Sequence, residues 1–458
     1  MKLIINTLLY TGLISILLIQ VSCEKMIDAE IPANQIASKT VFESVQTADA
    51  ALAGIYAGLW SNSPISGDKA GLLLSLYTDD LDFYATASTN GMTEVYRNQL
   101  IPSNPIVYGQ WASAYQLVYS CNAVIEGCEN STLLNAQDKA RISGEALLIR
   151  SLLFFYLQQM FGNIPYPVTT NYLINQSISK TPSDEVLQRI ESDLTDVTQV
   201  LPNQYRNAER VYLNKKSAQL LLAKVYMTMQ RWSEAETQLR DVLQSPLYQI
   251  QNDLTKTFKK TSTNILWQLK PANNGDAVKE VIAYYFDYIP PYNYALSNSL
   301  LSSFTASDLR KQRWMIPVTV GGNTWYRAGK YKNLTGNTDE YSVVFRIEEA
   351  YLLLAESLAK QNKISEAIPF INAIRQRAGL TLLDTTISQE VLLNEILNEN
   401  RKEFFTETGH RMMDLKRMNK LELLKSVKTN WKSEYQFWPV PERELLLNPN
   451  LNPQNNGY

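Results

Sequence analysis

Three carboxylates crowd one short stretch, Asp79, Asp80 and Asp82, within Leu76-Tyr77-Thr78-Asp79-Asp80-Leu81-Asp82-Phe83-Tyr84. Such a cluster could hold a calcium ion, serve as an acid–base pair, cap helices or accept hydrogen bonds from sugar hydroxyls. The calcium-loop order, with ligands at alternate positions, a central Gly and a distal Glu, is absent. A glycoside hydrolase needs two carboxyl groups about 5–9.5 Å apart across a cleft. Sequence does not define that separation, so a hydrolase stays open behind the capping and sugar-binding readings. His410 is the single histidine, and any Ser-His-Asp or Cys-His mechanism would have to use it. It lies at a helix start inside a segment dense in charge, with Arg411 and Asp414 spaced i,i+3 and Glu403 and Glu407 spaced i,i+4, and is expected to be structural. The cysteines are Cys23, Cys121 and Cys128. Counting therefore excludes a multi-histidine metal centre, a zinc ribbon and a disulfide-stapled scaffold. Cys121 and Cys128 sit in a helical pattern that separates their Cα atoms by about 10.5 Å, too far for a disulfide. No G-x-S-x-G elbow, Walker A loop or G-x-G-x-x-G occurs. No catalytic residue, metal or cofactor is expected.

Aromatic rings are the surplus, with 26 Tyr, 13 Phe and 8 Trp. Binding a sugar without catalysis wants rings against the apolar faces of pyranoses, with amide, carboxylate and arginine groups for the hydroxyls. Rings on loops suit this better than rings in helix cores. Two irregular segments are rich in them. The first is the Tyr77–Tyr84 stretch, with Trp60 before it and Tyr96-Arg97 after. The second is Tyr284-Tyr285-Phe286-Asp287-Tyr288-Ile289-Pro290-Pro291-Tyr292-Asn293-Tyr294, followed by Trp314 and Trp325-Tyr326-Arg327. Five tyrosines in eleven residues, with two prolines, do not read as a helix. The ligand-binding candidates are thus Trp60, Tyr77, Asp79, Asp80, Asp82, Tyr84, Tyr96, Arg97, Tyr284, Tyr288, Tyr292, Tyr294 and Trp325. The alternative, that these rings pack a long loop onto a scaffold, is open at this point.

The elements that must position these groups are helical. With 458 residues, 45% hydrophobic and 19% charged, the chain can bury a sizeable core. A net charge of −2 from 43 basic and 45 acidic residues gives no nucleic-acid surface. Apolar residues recur at three and four positions over 47–60, 108–128, 135–161, 184–200, 214–229, 232–244, 344–360, 363–378 and 388–406. Helix starts are expected at Thr47, Ser183 and Ser388, and stops at Gly162 and Gly379. Asn264–Leu269 and Glu280–Tyr285 are the two strand candidates. Two helix pairs superimpose at an offset of 132 residues: Leu222, Ala223, Ala235, Leu239 and Val242 align with Leu354, Ala355, Ala367, Ile371 and Ile374. A small residue, another alanine twelve positions on and a large apolar residue four later is the spacing of a tetratricopeptide (TPR) unit. The fold class is mainly all-α: a TPR-like helical-hairpin scaffold with long irregular ligand-binding insertions and minor β. The TPR-like units lie near 214–247 and 346–379.

Ahead of this body, Lys2 precedes an apolar-rich run from Leu3 to Ile19 and then Gln20-Val21-Ser22-Cys23. That is an export signal over 1–22, leaving 23–458 as a single domain. The Ser22-Cys23 junction resembles the lipobox of bacterial lipoproteins, with Gln20 a departure from the usual aliphatic residue. Acyl chains on Cys23 would hold the body to a membrane surface, each methylene contributing about 0.8 kcal/mol.

Four further segments carry a resemblance: Gly144-Glu-Ala-Leu-Leu-Ile-Arg150 running to Phe161-Gly162-Asn-Ile-Pro165; Arg346-Ile-Glu-Glu-Ala-Tyr351 with Asn372-Ala-Ile-Arg375-Gln-Arg377-Ala-Gly379; Asn400-Arg401-Lys-Glu403 through Glu407, Gly409-His410-Arg411 and Asp414 to Arg417; and Trp438-Pro-Val-Pro441 with Asn448-Pro449-Asn450-Leu451 and the closing Asn455-Asn456-Gly457-Tyr458, the last two blocks forming a C-terminal region over 388–458. With the lipobox, their order and spacing resemble the SusD/RagB family, surface lipoproteins that Bacteroidetes pair with a TonB-dependent transporter. Asn400, where the family usually has glutamate, and Met412-Met413, where Trp or Phe is common, depart from its pattern. The resemblance implies a non-catalytic protein of the outer membrane, facing the exterior. It would bind an oligosaccharide and act as the lid of a SusC-like TonB-dependent transporter. A peptide ligand in the same architecture, or a TPR scaffold that binds only protein, are the other readings.

Overall fold

The computed structural model describes residues 38–85 and 90–458. The expected signal segment and the acyl-bearing Cys23 lie outside the described residues. The helices that build the scaffold are α1 (Val45–Ser61), α2 (Ala70–Tyr77), α3 (Pro105–Asn130), α4 (Ala136–Phe161), α5 (Ser183–Val200), α6 (Lys215–Thr228), α7 (Trp232–Leu243), α8 (Ile347–Lys360), α9 (Ile364–Arg377), α10 (Gln389–Phe404) and α11 (His410–Arg417). Every long periodic segment is therefore a helix within a few residues, except that 342–346 is a strand leading into α8.

Capping explains where several begin. Asn104 accepts hydrogen bonds from the Ile106 and Val107 amides with Pro105 at the first helical position, Asn214 caps α6 through the Ser217 amide, and Ser388 caps α10 through Val391. Two expected caps differ. Ser44, not Thr47, caps α1, and the Ser183 amide is bound by Asn163 from outside the helix. Gly162 and Gly379 end their helices at φ +74° and +72°, which other residues reach only with strain.

The helices stack as a layered array. Consecutive neighbours α3–α4, α4–α5, α5–α6, α6–α7, α7–α8 and α8–α9 pack together. α6 and α8 are buried on nearly every side, as is α4 from Gly144 onward, whereas α5 and α7 bury one stripe, as with Ala235, Leu239 and Val242 in α7. All ten residues matched at the 132-residue offset are buried. Ala223 and Ala355 let the paired helices approach, while each large aliphatic residue contributes roughly 1.5–3 kcal/mol by leaving water. Because α7 packs against α8, residues 244–346 leave the array between two adjacent helices.

That insertion carries most of the β structure. Strand β1 (Leu81–Phe83) pairs antiparallel with β3 (Tyr294–Leu296), β2 (Ile265–Leu269) with β6 (Ser342–Arg346), and β4 (Met315–Val320) with β5 (Asn323–Ala328). The β4–β5 turn is Gly321-Gly322, both at positive φ, the two-residue hairpin geometry that matches strand twist. Asn264–Leu269 is a strand as expected, but Glu280–Tyr285 is not: Lys279–Tyr284 forms a short helix. Its buried positions, Glu280, Val281 and Tyr284, lie on one helical face, and the apparent alternation carried no sheet partner.

Inside the core, charge is concentrated around the last helices. Glu403 receives Arg346 (2.5 Å), Arg377 and Arg310 (3.3 Å), all four side chains being buried. Glu348 and Glu407 share Arg346, Glu399 and Asp308 share Arg310, and Lys330 reaches Glu407. His410 is buried, stacked on Phe404 at 4.2 Å, and burial with the nearby cations holds it well below its usual pKa. Cys121 and Cys128 are free and buried.

Candidate ligand-binding face

Where α2 ends, the chain is pinned before it reaches β1. The Thr78 hydroxyl donates to Leu74 O (2.7 Å), and Asp79 and Asp80 turn inward. Arg411 bonds both Asp79 oxygens (2.9 and 3.1 Å), while Arg401 reaches Asp79 (3.0 Å) and Asp80 (2.8 Å). Burial would raise the Asp79 pKa, but Arg401 and Arg411 outweigh it and hold the carboxyl below its usual value. Asp80, which shares Arg401, is pushed up by its complete burial. The approach is close here: a Cβ on Gly71 of α2 would lie 2.5 Å from Thr406 O.

Beyond this anchor, β1 emerges beside β3 with Phe83 opposite Tyr294, and the Tyr84 amide donates to Asn293 O at 2.8 Å. The two ring-rich stretches, some two hundred residues apart in sequence, thereby become one surface. Phe83 stacks on Tyr294 (5.7 Å, 29°) and tilts against Tyr96 (6.2 Å). The Tyr96 hydroxyl donates to Asp82 at 3.1 Å, and Lys428 lies 3.9 Å from the Tyr96 ring centre. β3 also packs on β5, which brings Trp325 beside Tyr84. Trp325 backs onto a small cluster of Phe286, Ala295 and Val318. Arg327 lies 4.6 Å over the Tyr285 ring, with its Nε shielded and, among the described residues, unpartnered.

From this platform the loop before β3 projects into solvent. Tyr288 is 87% exposed and Tyr292 77%, while Tyr84 is 38% exposed. Tyr288 is held at φ +60°, a conformation that costs an L-residue about 1–2 kcal/mol. Its amide is bound by Asp287. Strained backbone of this kind clusters where side chains are pre-aimed at ligands.

Behind the platform, Glu280 and Tyr284 line a closed cavity of about 20 Å³ with Ser66, Lys330 and Glu407. Ser342 donates to Glu280 Oε1, whereas Glu280 Oε2 and the Tyr284 hydroxyl have no partner among the described residues. Burial pushes the Glu280 pKa up to about 7. A carboxyl raised in the folded state penalises folding as pH climbs from its unfolded value toward 7, and fully above it. Glu280→Gln is therefore expected to match the wild type at pH 4.5 and to exceed it by on the order of 2–3 kcal/mol at pH 8. Urea midpoints at the two pH values measure this. A gain equal at both would remove the ionisation argument.

Comparison with known proteins places this architecture. A family model described as "Starch-binding associating with outer membrane" matches residues 32–227, and the SusD family model matches residues 317–458. The chain belongs to the SusD/RagB family. A SusD-like protein, P2, of Formosa agariphila is 25% identical over 97% of this chain and 98% of its own length. A SusD superfamily structure from Bacteroides vulgatus superposes with a TM-score of 0.79 at 19% identity, covering 91% of this chain and 99% of that one. A surface glycan-binding protein A from Bacteroides thetaiotaomicron, in complex with laminarihexaose, gives 0.76 at 20% identity, over 90% and 99%. The mainly helical, TPR-like fold read from sequence is that of the SusD superfamily.

Within this SusD-family fold the candidate residues divide. Asp82, Tyr84, Tyr96, Tyr294 and Trp325 are brought together, Arg97 is exposed next to Tyr96, and Tyr288 and Tyr292 stand on the adjoining loop. Five others are scaffold instead. Asp79 and Asp80 neutralise arginines in the interior. Tyr77 is buried edge-on against Trp431 and Trp438 and donates to Tyr435 O. Trp60 is buried on α1 beside Lys279, and Tyr284 is buried at the Glu280 cavity. Phe83, Tyr285 and Arg327 belong to the face and were missed as candidates. A Gly-Gly pair flanked by Val318-Thr319-Val320 and Thr324-Trp325-Tyr326 was the signal that could have placed Arg327 on a hairpin beside the rings. Among the described residues, no helix is long and apolar enough to cross a membrane, and no group of three or more His, Cys, Asp or Glu could hold a metal ion.

Proposed function

We propose that this protein is a non-catalytic, surface-exposed lipoprotein, anchored through Cys23, that captures an oligosaccharide and passes it to a SusC-like TonB-dependent outer-membrane transporter as its lid. The observation that carries the reading is the union of the two ring-rich segments into one exposed aromatic face through the β1–β3 pairing. Rings offer the apolar contact a pyranose face needs, and Asp82, Arg97 and Arg327 offer groups for its hydroxyls. Support for a binding rather than a hydrolytic role comes from the carboxylates. Asp79 and Asp80 are consumed by arginines, and the single histidine is buried and stacked on Phe404. Binding of laminarihexaose by a protein of the same fold makes a β-glucan a reasonable first probe.

Calorimetry with laminarihexaose and a panel of other neutral hexasaccharides tests the site. The triple variant Tyr288→Ala, Tyr292→Ala, Trp325→Ala should lose about 10- to 1,000-fold in affinity, from roughly 0.5–1.5 kcal/mol per ring. The double variant Tyr288→Ala, Tyr292→Ala should lose affinity with little change in melting temperature, because both rings stand in solvent, whereas Trp325→Ala also removes packing against Phe286, Ala295 and Val318. Unchanged affinity would remove the face from the site. Protease applied to intact cells tests the orientation: digestion only after lysis would sink the surface assignment.

A further inference from the structure

Another concavity lies elsewhere on the molecule, and none of its lining residues belongs to the ring face. It is a cleft of about 510 Å³ between α3, the segment 165–178 and the C-terminal stretch 444–451, a volume in the range of small-ligand sites. Its far wall is irregular chain held in place by side chains. Tyr115 donates to Pro165 O (2.7 Å), Asn122 to Pro167 O (3.0 Å), Asn175 to Thr169 O (2.7 Å) and Asn448 to Ile178 O (2.8 Å). The cleft is thus built in advance of any ligand.

Its lining has a definite chemistry. Trp111 and Tyr115, 4.9 Å apart, lie on the α3 wall, while Tyr119 and Tyr172, 55% and 72% exposed, offer rings at the opening. Asn175 Oδ1 is shielded from solvent and has no partner among the described residues. Glu444, half-buried, stands beside Trp111 and is the one carboxylate among the described lining residues. Among the described residues, no lysine or arginine lines the cleft. Asn175 Oδ1 is closed off from solvent, so the polar groups an occupant can meet are the Glu444 carboxylate, the Gln176 and Asn448 amides and the tyrosine hydroxyls, a set that suits a ligand rich in hydroxyls. An anionic occupant would meet the Glu444 carboxylate with no lysine or arginine among the described lining residues, and an acyl chain would strip water from that carboxylate and from the lining amides without replacing its hydrogen bonds.

We propose that this cleft is a second saccharide site, taking a short neutral oligosaccharide whose rings lie against Tyr119 and Tyr172 and whose hydroxyls meet the Glu444 carboxylate and the Gln176 amide. The protein then holds two glycan-binding surfaces, one on the β1–β3–β5 face and one on α3.

Calorimetry and saturation-transfer NMR on the mature chain, with laminarihexaose, maltohexaose, cellohexaose and xylohexaose as probes, test this. A mixed tripeptide pool serves as the competing class. Four proteins are compared: wild type, the face variant Tyr288→Ala, Tyr292→Ala, Trp325→Ala, the cleft variant Tyr119→Ala, Tyr172→Ala, and the two sets of changes combined. Both cleft rings are exposed, so the cleft variant should melt with the wild type. The expected result is that the face variant still binds one of the glycans and that adding the cleft changes weakens this residual binding at least tenfold. Glycan binding lost completely in the face variant would overturn the second site and leave the first standing. Residual binding insensitive to the cleft changes, or cleft-dependent binding of peptide alone, would overturn the saccharide assignment. No glycan binding by the wild type would overturn both sites.

Discussion

Glu403→Ala is expected to destabilise the protein by about 3–5 kcal/mol, the cost of removing one partner from a buried ion pair. Arg346, Arg377 and Arg310 all bond this carboxylate, and each is fully or nearly fully buried. The arrangement also joins distant elements, since Arg310 precedes β4, Arg346 ends β6, Arg377 ends α9 and Glu403 lies in the last turn of α10. Burial would raise the Glu403 pKa, but the three arginines outweigh it and hold it far below the ordinary carboxylate range. The sign of the pH effect follows. A depressed folded pKa contributes stability that is present above the unfolded value and lost as pH falls toward the folded one. Wild type should therefore weaken progressively below about pH 4.5, and Glu403→Ala should show less of that acid dependence. Urea unfolding from pH 3 to 7 measures both effects. A loss under 1 kcal/mol at pH 7 would mean that the arginines are satisfied by Glu348, Glu407 and Asp308 alone.

The helical scaffold was readable because its signal is local. A buried stripe at three- and four-residue spacing, an asparagine or serine at the start and a glycine at the end all act within a few residues of one another. The repeat was readable for the same reason, since Ala223 and Ala355 mark close approach within each hairpin. Which rings and carboxylates would be free was not readable, because that depends on partners hundreds of residues away. Tyr77 belongs to the same ring-rich stretch as Tyr84, yet it meets Trp431 and Trp438 and is buried, while Tyr84 is not. Asp79 and Asp82 differ in fate because a strand begins between them and Arg411 approaches from the far end of the chain. The β4–β5 hairpin lies between these extremes. Its glycine pair was legible, but its pairing with the platform through β3 was not. The misread Glu280–Tyr285 stretch follows the same logic, as six residues carry too little pattern to separate a short strand from a short helix.

Asp79→Ala separates an interior role for the acidic cluster from a ligand-contacting one. Its carboxylate bonds Arg411 and Arg401 and accepts from Ser299 at 3.2 Å, so its loss leaves two buried guanidiniums short of a partner. Destabilisation of about 3–5 kcal/mol is expected. Asp82→Ala, by contrast, removes a half-buried acceptor of the Tyr96 hydroxyl and should stay within about 1 kcal/mol. On glycan affinity the order reverses. Asp82 lies on the face and should matter directly, whereas Asp79 should act only as far as β1 loosens, an effect that stabilising cosolvent would restore. The double variant Asp79→Ala, Arg411→Ala provides the internal control. If the two side chains stabilise chiefly each other, the pair of changes should cost less than the sum of the single ones, since the arginine no longer remains buried without its acid. A ligand-contacting Asp79 predicts a different pattern: near-wild-type unfolding, affinity lost at every cosolvent concentration, and additivity with Arg411→Ala. Denaturation midpoints and calorimetry on the same four proteins decide between the two.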